Sequence, residues 1–344
     1  MNERIARTRE YLLLRCFILL LTPLLFLSGC STKLHKDFLP NFIKNNQRFE
    51  DRVVSLQFND KEKFLAVGHE SGSVDIWDAK EAFSKRVIKA HKHRANLLAF
   101  STDGNTLFSN SYFEDTTRLW DARTGELLNA IPATRGPVSI SPDERYYLIA
   151  NSGDAQFFDY ERKLLLPGKF RCEGVITAMA SDISSGQIAV GTASGTIQVW
   201  KFSLRDDNPT LEVISQAKPY PMGDWVMALQ FAPNGRSLYS VARFGSVDEW
   251  ILNTFEKRRS IPITLKQIMS SAFMPDGALL AVAGTSDAGG ASVGSVQIVS
   301  LLDEISSSYR ADTNWPVIEF LPPLSSLIAA QYRSIAIHKL SQER

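Results

Sequence analysis

The chain is poor in the residues that most often carry chemistry. Its 344 residues include three cysteines, at 16, 30 and 172, and five histidines, at 35, 69, 91, 93 and 338. His91 and His93 have His-x-His spacing, but no carboxylate or thiol stands at metal-ligand spacing beside them, so no metal site is predicted. Gly289, Gly290 and Gly294 lead into no helix, which removes the anion-binding logic of a phosphate loop and leaves a long hairpin as the reading. No nucleophile elbow and no paired-carboxylate motif stands out, so no catalytic residue and no cofactor is expected. The formal net charge of +1 lacks the basic excess of a nucleic-acid binder. No apolar run reaches the roughly 20 residues that span a bilayer.

What is present begins at the N-terminus. Arg4, Arg7, Arg9 and Arg15 precede an apolar run from Cys16 to Leu27, and small residues follow, which is the layout of a secretory signal peptide. The run ends in Leu27-Ser28-Gly29-Cys30, which resembles the lipobox of bacterial lipoproteins. That resemblance implies cleavage before Cys30 and acylation of its thiol and new amino group. Several acyl chains would anchor the protein firmly. With Ser31 rather than an aspartate next, it also implies the outer membrane, facing the periplasm. The chain then divides into a signal peptide (1–29), a lipid-anchored tether (30–37) and a folded part (38–344). Residues 1–29 hold four of the 38 basic and two of the 37 acidic side chains, which leaves the rest balanced to within one charge. With Cys16 removed and Cys30 acylated, Cys172 has no disulfide partner and is expected to pack as a small core hydrophobe.

One unit recurs along the folded part: an apolar strand ending near Phe, a polar turn, a second strand, a tight turn, and a third strand ending near Trp. The first-strand anchors stand at Phe58, Phe100, Ile140, Ala180, Phe231, Phe273 and Phe320. A period of about 40–45 residues with four strands per unit is that of a propeller blade. The segments alternate polar and apolar residues, as in Ser73-Val74-Asp75-Ile76-Trp77, rather than following a helical period. Asp103-Gly104, Asn234-Gly235 and Asp276-Gly277 reverse the chain between first and second strands. Ser71-Gly72 and Ser194-Gly195 do so between second and third.

Phe100-Ser101-Thr102-Asp103-Gly104 and Thr117-Arg118-Leu119-Trp120-Asp121 resemble the WD-repeat family, and the likeness extends over most of residues 50–340. It implies an all-β fold: one seven-bladed β-propeller of four-stranded antiparallel blades. It also implies closure of the ring by a strand from the N-terminus, for which Phe38 to Asn46 is the candidate. The family's buried network of histidine, serine, acid and tryptophan maps in the second repeat onto His91, Ser109 or Ser111, Glu114 or Asp115, and Trp120. Elsewhere Ser71, Ser194 or Phe244 fills the acidic position, which marks a divergent member.

Trp77, Trp120, Trp200 and Trp250 occupy equivalent third-strand positions and are expected between blades, with His91 in a structural role. The longer interval containing Arg205 to Pro209 and Pro219-Tyr220-Pro221 reads as an enlarged surface loop over 203–223. Six residues before each anchor lie rim positions, namely Arg52, Arg94, Thr134, Gly174, Trp225, Gln267 and Asn314. Arg52, Arg94 and Trp225 are the candidate partner-binding residues, since Arg and Trp are enriched in binding hot spots. The function expected is a non-enzymatic interaction scaffold, held on the membrane through acylated Cys30 and binding other envelope proteins or peptides. The alternative is a periplasmic enzyme or small-ligand binder that uses the central channel.

Overall fold

Short apolar-polar alternation broken by glycine turns produces antiparallel hairpins, and the computed structural model of the chain is a succession of them. It describes residues 49–78, 85–206, 208–288, 291–302, 306–311, 316–321 and 326–340. Blade 1 comprises Val53–Asn59, Phe64–His69, Ser73–Asp78 and Lys85–Lys89. Blade 2 comprises Leu97–Phe100, Thr106–Ser111, Glu114–Asp121 and Leu127–Pro132. Blade 3 has Val138–Ile140, Tyr146–Asn151 and Asp154–Asp159, with its outer edge split into Leu164–Leu165 and Phe170–Arg171. Blade 4 has Ile176–Asp182, Gln187–Thr192, Ile197–Arg205 and Asn208–Ala217. Blade 5 has Val226–Phe231, Ser237–Ala242, Val247–Ile251 and Glu256–Ile261. Blade 6 has Gln267–Phe273, Leu279–Ala288, Ala291–Ser300 and Ser306–Ala311. The last repeat contributes a three-stranded sheet of Val317–Leu321, Ser326–Gln331 and Ser334–Lys339.

The expectation of seven four-stranded blades is therefore corrected. The described residues build six complete blades, and the last sheet lacks a fourth strand because none follows Lys339 among them. Phe38 to Asn46, expected to supply a closing strand, lies outside the described residues, as do Cys30 and the boundaries at 29 and 37. What the described chain does show is that Phe49 N donates to Arg333 O at 2.7 Å and Val53 N to Tyr332 O at 2.9 Å. Entry into blade 1 is thus tied to the turn of the three-stranded sheet.

Apolar side chains fill the space between successive sheets. Leu65, Val67 and Trp77 of blade 1 pack against Leu321, Ile328 and Ala330 of the three-stranded sheet. Tyr146, Leu148 and Phe157 of blade 3 meet Ile188, Val190 and Trp200 of blade 4. Removing such a side chain from water is worth about 1.5–3 kcal/mol, so these interfaces, rather than any one motif, hold the ring. Trp77, Trp120, Trp200 and Trp250 are all buried in them.

One local feature differs from the sequence reading. Residues 203–217 are not loop: the strands Ile197–Arg205 and Asn208–Ala217 pair as far as Arg205 with Asn208, and Asp206 takes the positive φ of the turn. The Asp-Asn-Pro stretch marks a tight reversal at the tip of a long hairpin, not an irregular excursion. In the first turns of blades 1 and 3, which lack glycine, Lys63 adopts φ 61° and Glu144 φ 59°. The 289–294 stretch lies in the hairpin of Leu279–Ala288 and Ala291–Ser300, which pair out to Ala288 with Ala291; residues 289 and 290 themselves lie outside the described residues. Among the described residues no helix is long and apolar enough to cross a membrane.

Candidate functional site

In an up-and-down blade the second-to-third turns and the links to the next blade share one face, because each antiparallel strand returns the chain to the side it left. What each link carries decides how that face is held. In blade 2, His91 arrives on the link from blade 1. Its Nε2 donates to Ser109 Oγ at 2.9 Å, and Trp120 Nε1 donates to the same oxygen at 2.9 Å. Arg118 Nη1 lies 2.5 Å from His91 Nδ1 and 2.8 Å from Glu114 Oε2. Burial first, and Arg118 second, push the His91 pKa down, so the ring is neutral, with its Nε2 as donor and its Nδ1 facing the guanidinium. Burial alone would raise the Glu114 carboxyl. The Arg118 hydrogen bond and the Lys92 backbone N–H outweigh it and hold the group at about 2. Of the pairs open in the sequence, the structure uses Ser109 and Glu114; Asp115 instead pairs with Arg135 at the surface, at 2.5 Å.

The same lock recurs with other chemistry, and sequence reading missed it. Two residues before the third-strand anchor, a polar side chain reaches the incoming link. Arg118 meets His91, and Gln198 Oε1 accepts from Cys172 Sγ at 3.0 Å and from Trp200 Nε1 at 3.2 Å. Tyr220 Oη donates to Asp248 Oδ2 at 2.9 Å and lies 2.7 Å from Ser240 Oγ, which also accepts from Trp250 Nε1. Gln297 Oε1 accepts from the backbone N and the hydroxyl of Thr264. Blade 5 thus dispenses with an acid at Phe244 because Asp248 supplies one from the strand. Cys172 is buried and its thiol is pushed up to about 12 by burial, the state of a packed hydrophobe.

The rim positions do not gather into one site. Arg94 pairs with Glu70 at 2.5 Å, and Glu70 N donates to Arg52 O, so Arg52 and Arg94 meet around the first blade's turn. Trp225 belongs to another cluster. The Arg243 guanidinium lies 5.1 Å from the Trp225 ring centroid and 5.5 Å from that of Phe244. With its carboxamide turned oxygen-first, Gln267 accepts from Arg243 Nη2 at 2.8 Å and Nε at 2.9 Å. Phe244 N is capped by Asp224 Oδ1 at 2.9 Å. Thr134 is buried and bonds back to Thr117, and Gly174 packs against Ser194. Asn314 lies outside the described residues.

Exposed apolar area makes the face distinct. Tyr112, Phe113, Trp225, Phe244 and Tyr332 are between 41% and 63% exposed, and all five sit on second-to-third turns or on links, hence on one face. They are all the strongly exposed Phe, Tyr and Trp side chains among those whose exposure the structure describes, and Met222 on the same face is 85% exposed. The signal was available in the sequence as aromatics placed where turns need none. Phe244 was read only as a missing acid.

The inner strands bring little ionisable chemistry. Along all seven first strands only Asp182, at a strand end, and Glu319 carry a carboxyl. Glu319 Oε1 accepts from Phe320 N at 3.2 Å, and burial pushes its carboxyl up to about 8. No group of three His, Cys, Asp or Glu able to hold a metal is present among the described residues.

No protein-family model matches the chain. It is 23% identical over 226 residues to human apoptotic protease-activating factor 1, covering 63% of this chain and 18% of that protein. It is 26% identical over 189 residues to Arabidopsis thaliana autophagy-related protein 16, covering 52% and 35%. Over 75 residues it is 35% identical to the Drosophila melanogaster retinoblastoma-binding protein 5 homolog, covering 22% and 15%. The chain thus spans well under half the length of these relatives. Among solved structures it is similar to the Myceliophteria thermophila Cps50 (Swd1) β-propeller domain, with TM-score 0.66, 17% identity, and coverage of 85% of this chain and 98% of that one. The tetrad of blade 2, the recurring blade and these likenesses together support a β-propeller of the WD-repeat type.

Proposed function

We propose that the chain is a non-catalytic protein-interaction platform, presented at the periplasmic side of a bacterial outer membrane by a lipid on Cys30. One observation carries the platform reading: the strongly exposed rings of Tyr112, Phe113, Trp225, Phe244 and Tyr332 lie on a single face. Solvent-facing aromatic area gains free energy when covered, at about 25 cal/mol per Å², and large aromatics dominate interface energetics. The rigid frame beneath lets the turns differ without loss of fold. The anchor rests on Leu27-Ser28-Gly29-Cys30 at the end of a signal-like segment. Two measurements test the two halves. Wild type captures partners from detergent-solubilised envelopes, and a Phe113→Ala, Trp225→Ala, Phe244→Ala variant of equal melting temperature loses them; unchanged capture refutes the face. Cys30→Ser abolishes acylation and releases the protein from membranes or leaves an uncut precursor; unchanged mass and partition refute the anchor.

A further inference from the structure

On the aromatic face several cations already stand in ion pairs. Arg94 pairs with Glu70, Arg135 with Asp115, and Lys266 with Asp287. Arg243 differs. Its partners are the faces of Trp225 and Phe244 and the neutral amide of Gln267; the neighbouring Asp224 is buried, accepts the Phe244 backbone N–H, and forms no ion pair with Arg243 among the described residues. Two stacking contacts and two hydrogen bonds fix the guanidinium in place, so little side-chain entropy remains to be lost on binding. Among the described residues no carboxylate forms an ion pair with it, and exposed apolar area on Trp225 and Phe244 lies beside it.

We propose that the Trp225–Arg243–Phe244 cluster binds an extended peptide segment of a partner protein that carries an acidic side chain next to an apolar one. The carboxylate meets Arg243, and the neighbouring apolar residue covers Trp225 and Phe244. Charge complementarity selects this occupant: a neutral peptide leaves the guanidinium charge uncompensated as its surroundings lose water, and a basic one opposes it. The planar guanidinium, held over these rings, offers a carboxylate directed N–H donors, whereas a lysine would meet it only as a point charge.

This inference rests on the platform reading, and the experiment separates the two. A random-peptide display library is panned against the full chain purified in detergent, alongside Arg243→Gln, Arg243→Lys and Phe113→Ala. The expected result is enrichment of peptides with Asp or Glu beside a large apolar residue. Fluorescence anisotropy on the best synthetic peptide should show binding weakened about 10- to 100-fold by Arg243→Gln, the range of a charge-assisted hydrogen bond. Arg243→Lys should retain part of the affinity and Phe113→Ala nearly all of it. Enriched peptides without an acidic residue, or with equal affinity for Arg243→Gln, overturn the inference. If they are instead lost with Phe113→Ala, the platform reading survives. Absence of any enrichment overturns both.

Discussion

Glu319 offers a quantitative test of the inner strands. Its flanking inner strands, Val53–Asn59 and Gln267–Phe273, and its hairpin partner Ser326–Gln331 carry no ionisable side chain; the one on Leu279–Ala288 is Asp287, near that strand's far end. Burial raises the folded carboxyl to about 8, against 4.5 for the ordinary group. Below the ordinary value both folded and unfolded chains hold the proton, and no penalty applies. As pH rises toward about 8 the unfolded chain releases it while the folded one retains it, so stability falls by up to about 1.4 kcal/mol per pH unit and then levels. The full difference corresponds to about 5 kcal/mol. Part of the side chain is accessible at the inner edge, where water screens it, and about 2–3 kcal/mol is the expected loss. Glu319→Gln keeps the shape and the acceptor but cannot ionise. It should therefore match wild type near pH 5 and exceed it by about 2–3 kcal/mol near pH 9. Urea unfolding at several pH values, with unchanged m-value, reads this directly. Parallel pH curves for the two proteins would refute the argument, as would a variant weaker than wild type at high pH.

Other expectations follow from the lock and the turns. Ser109→Ala removes the shared partner of His91 and Trp120 and should cost about 2–3 kcal/mol, because two buried donors lose their acceptor; thermal melting checks it. Cys172 should resist iodoacetamide in the native protein and react after denaturation; fast native labelling would contradict its burial. Gly195→Ala places a Cβ 2.4 Å from Tyr220 O at φ 80°, so it should lower stability by about 2 kcal/mol or more, and a neutral effect would show that link to be displaceable. Trp200→Ala should cost about 3–5 kcal/mol by calorimetry.

Much of the architecture was legible because blades obey local rules. Alternation set the strands, Gly104, Gly235 and Gly277 set the reversals at φ 64° to 77°, and Trp77, Trp120, Trp200 and Trp250 marked third strands. What the sequence hid is non-local. Tyr220 and Asp248 stand 28 residues apart, one on the link into blade 5 and the other on its third strand, so no family pattern names them as one lock. Polar residues at Arg205 to Asn208 read as a loop because hydrophilicity does not distinguish a long solvated hairpin from irregular chain. At the last repeat the fourth strand was expected from Phe38 to Asn46, which lies outside the described residues, and the described chain supplies three strands there. At the rim, equal spacing from an anchor fixed which face a residue occupies but not its neighbours. Arg52 and Arg94 therefore sit at the first blade's turn while Trp225 faces Arg243.

The lock also defines the unit that evolution or a protein engineer can move. His91, Cys172, Tyr220 and Thr264 each close on the blade after the one whose outer strand precedes them. A graft of blade 5 starting at Val226 would leave Tyr220 behind, stranding the Ser240 hydroxyl and the Asp248 carboxylate without their phenol. A graft starting at the Asp206 turn would carry the preceding outer strand, the link and the blade together, with every donor still facing its acceptor. The transferable module is therefore offset from the visible blade by one strand, and the freedom to change His–Arg into Cys–Gln, Tyr–Asp or Thr–Gln exists because both halves of each lock travel on the same stretch of chain.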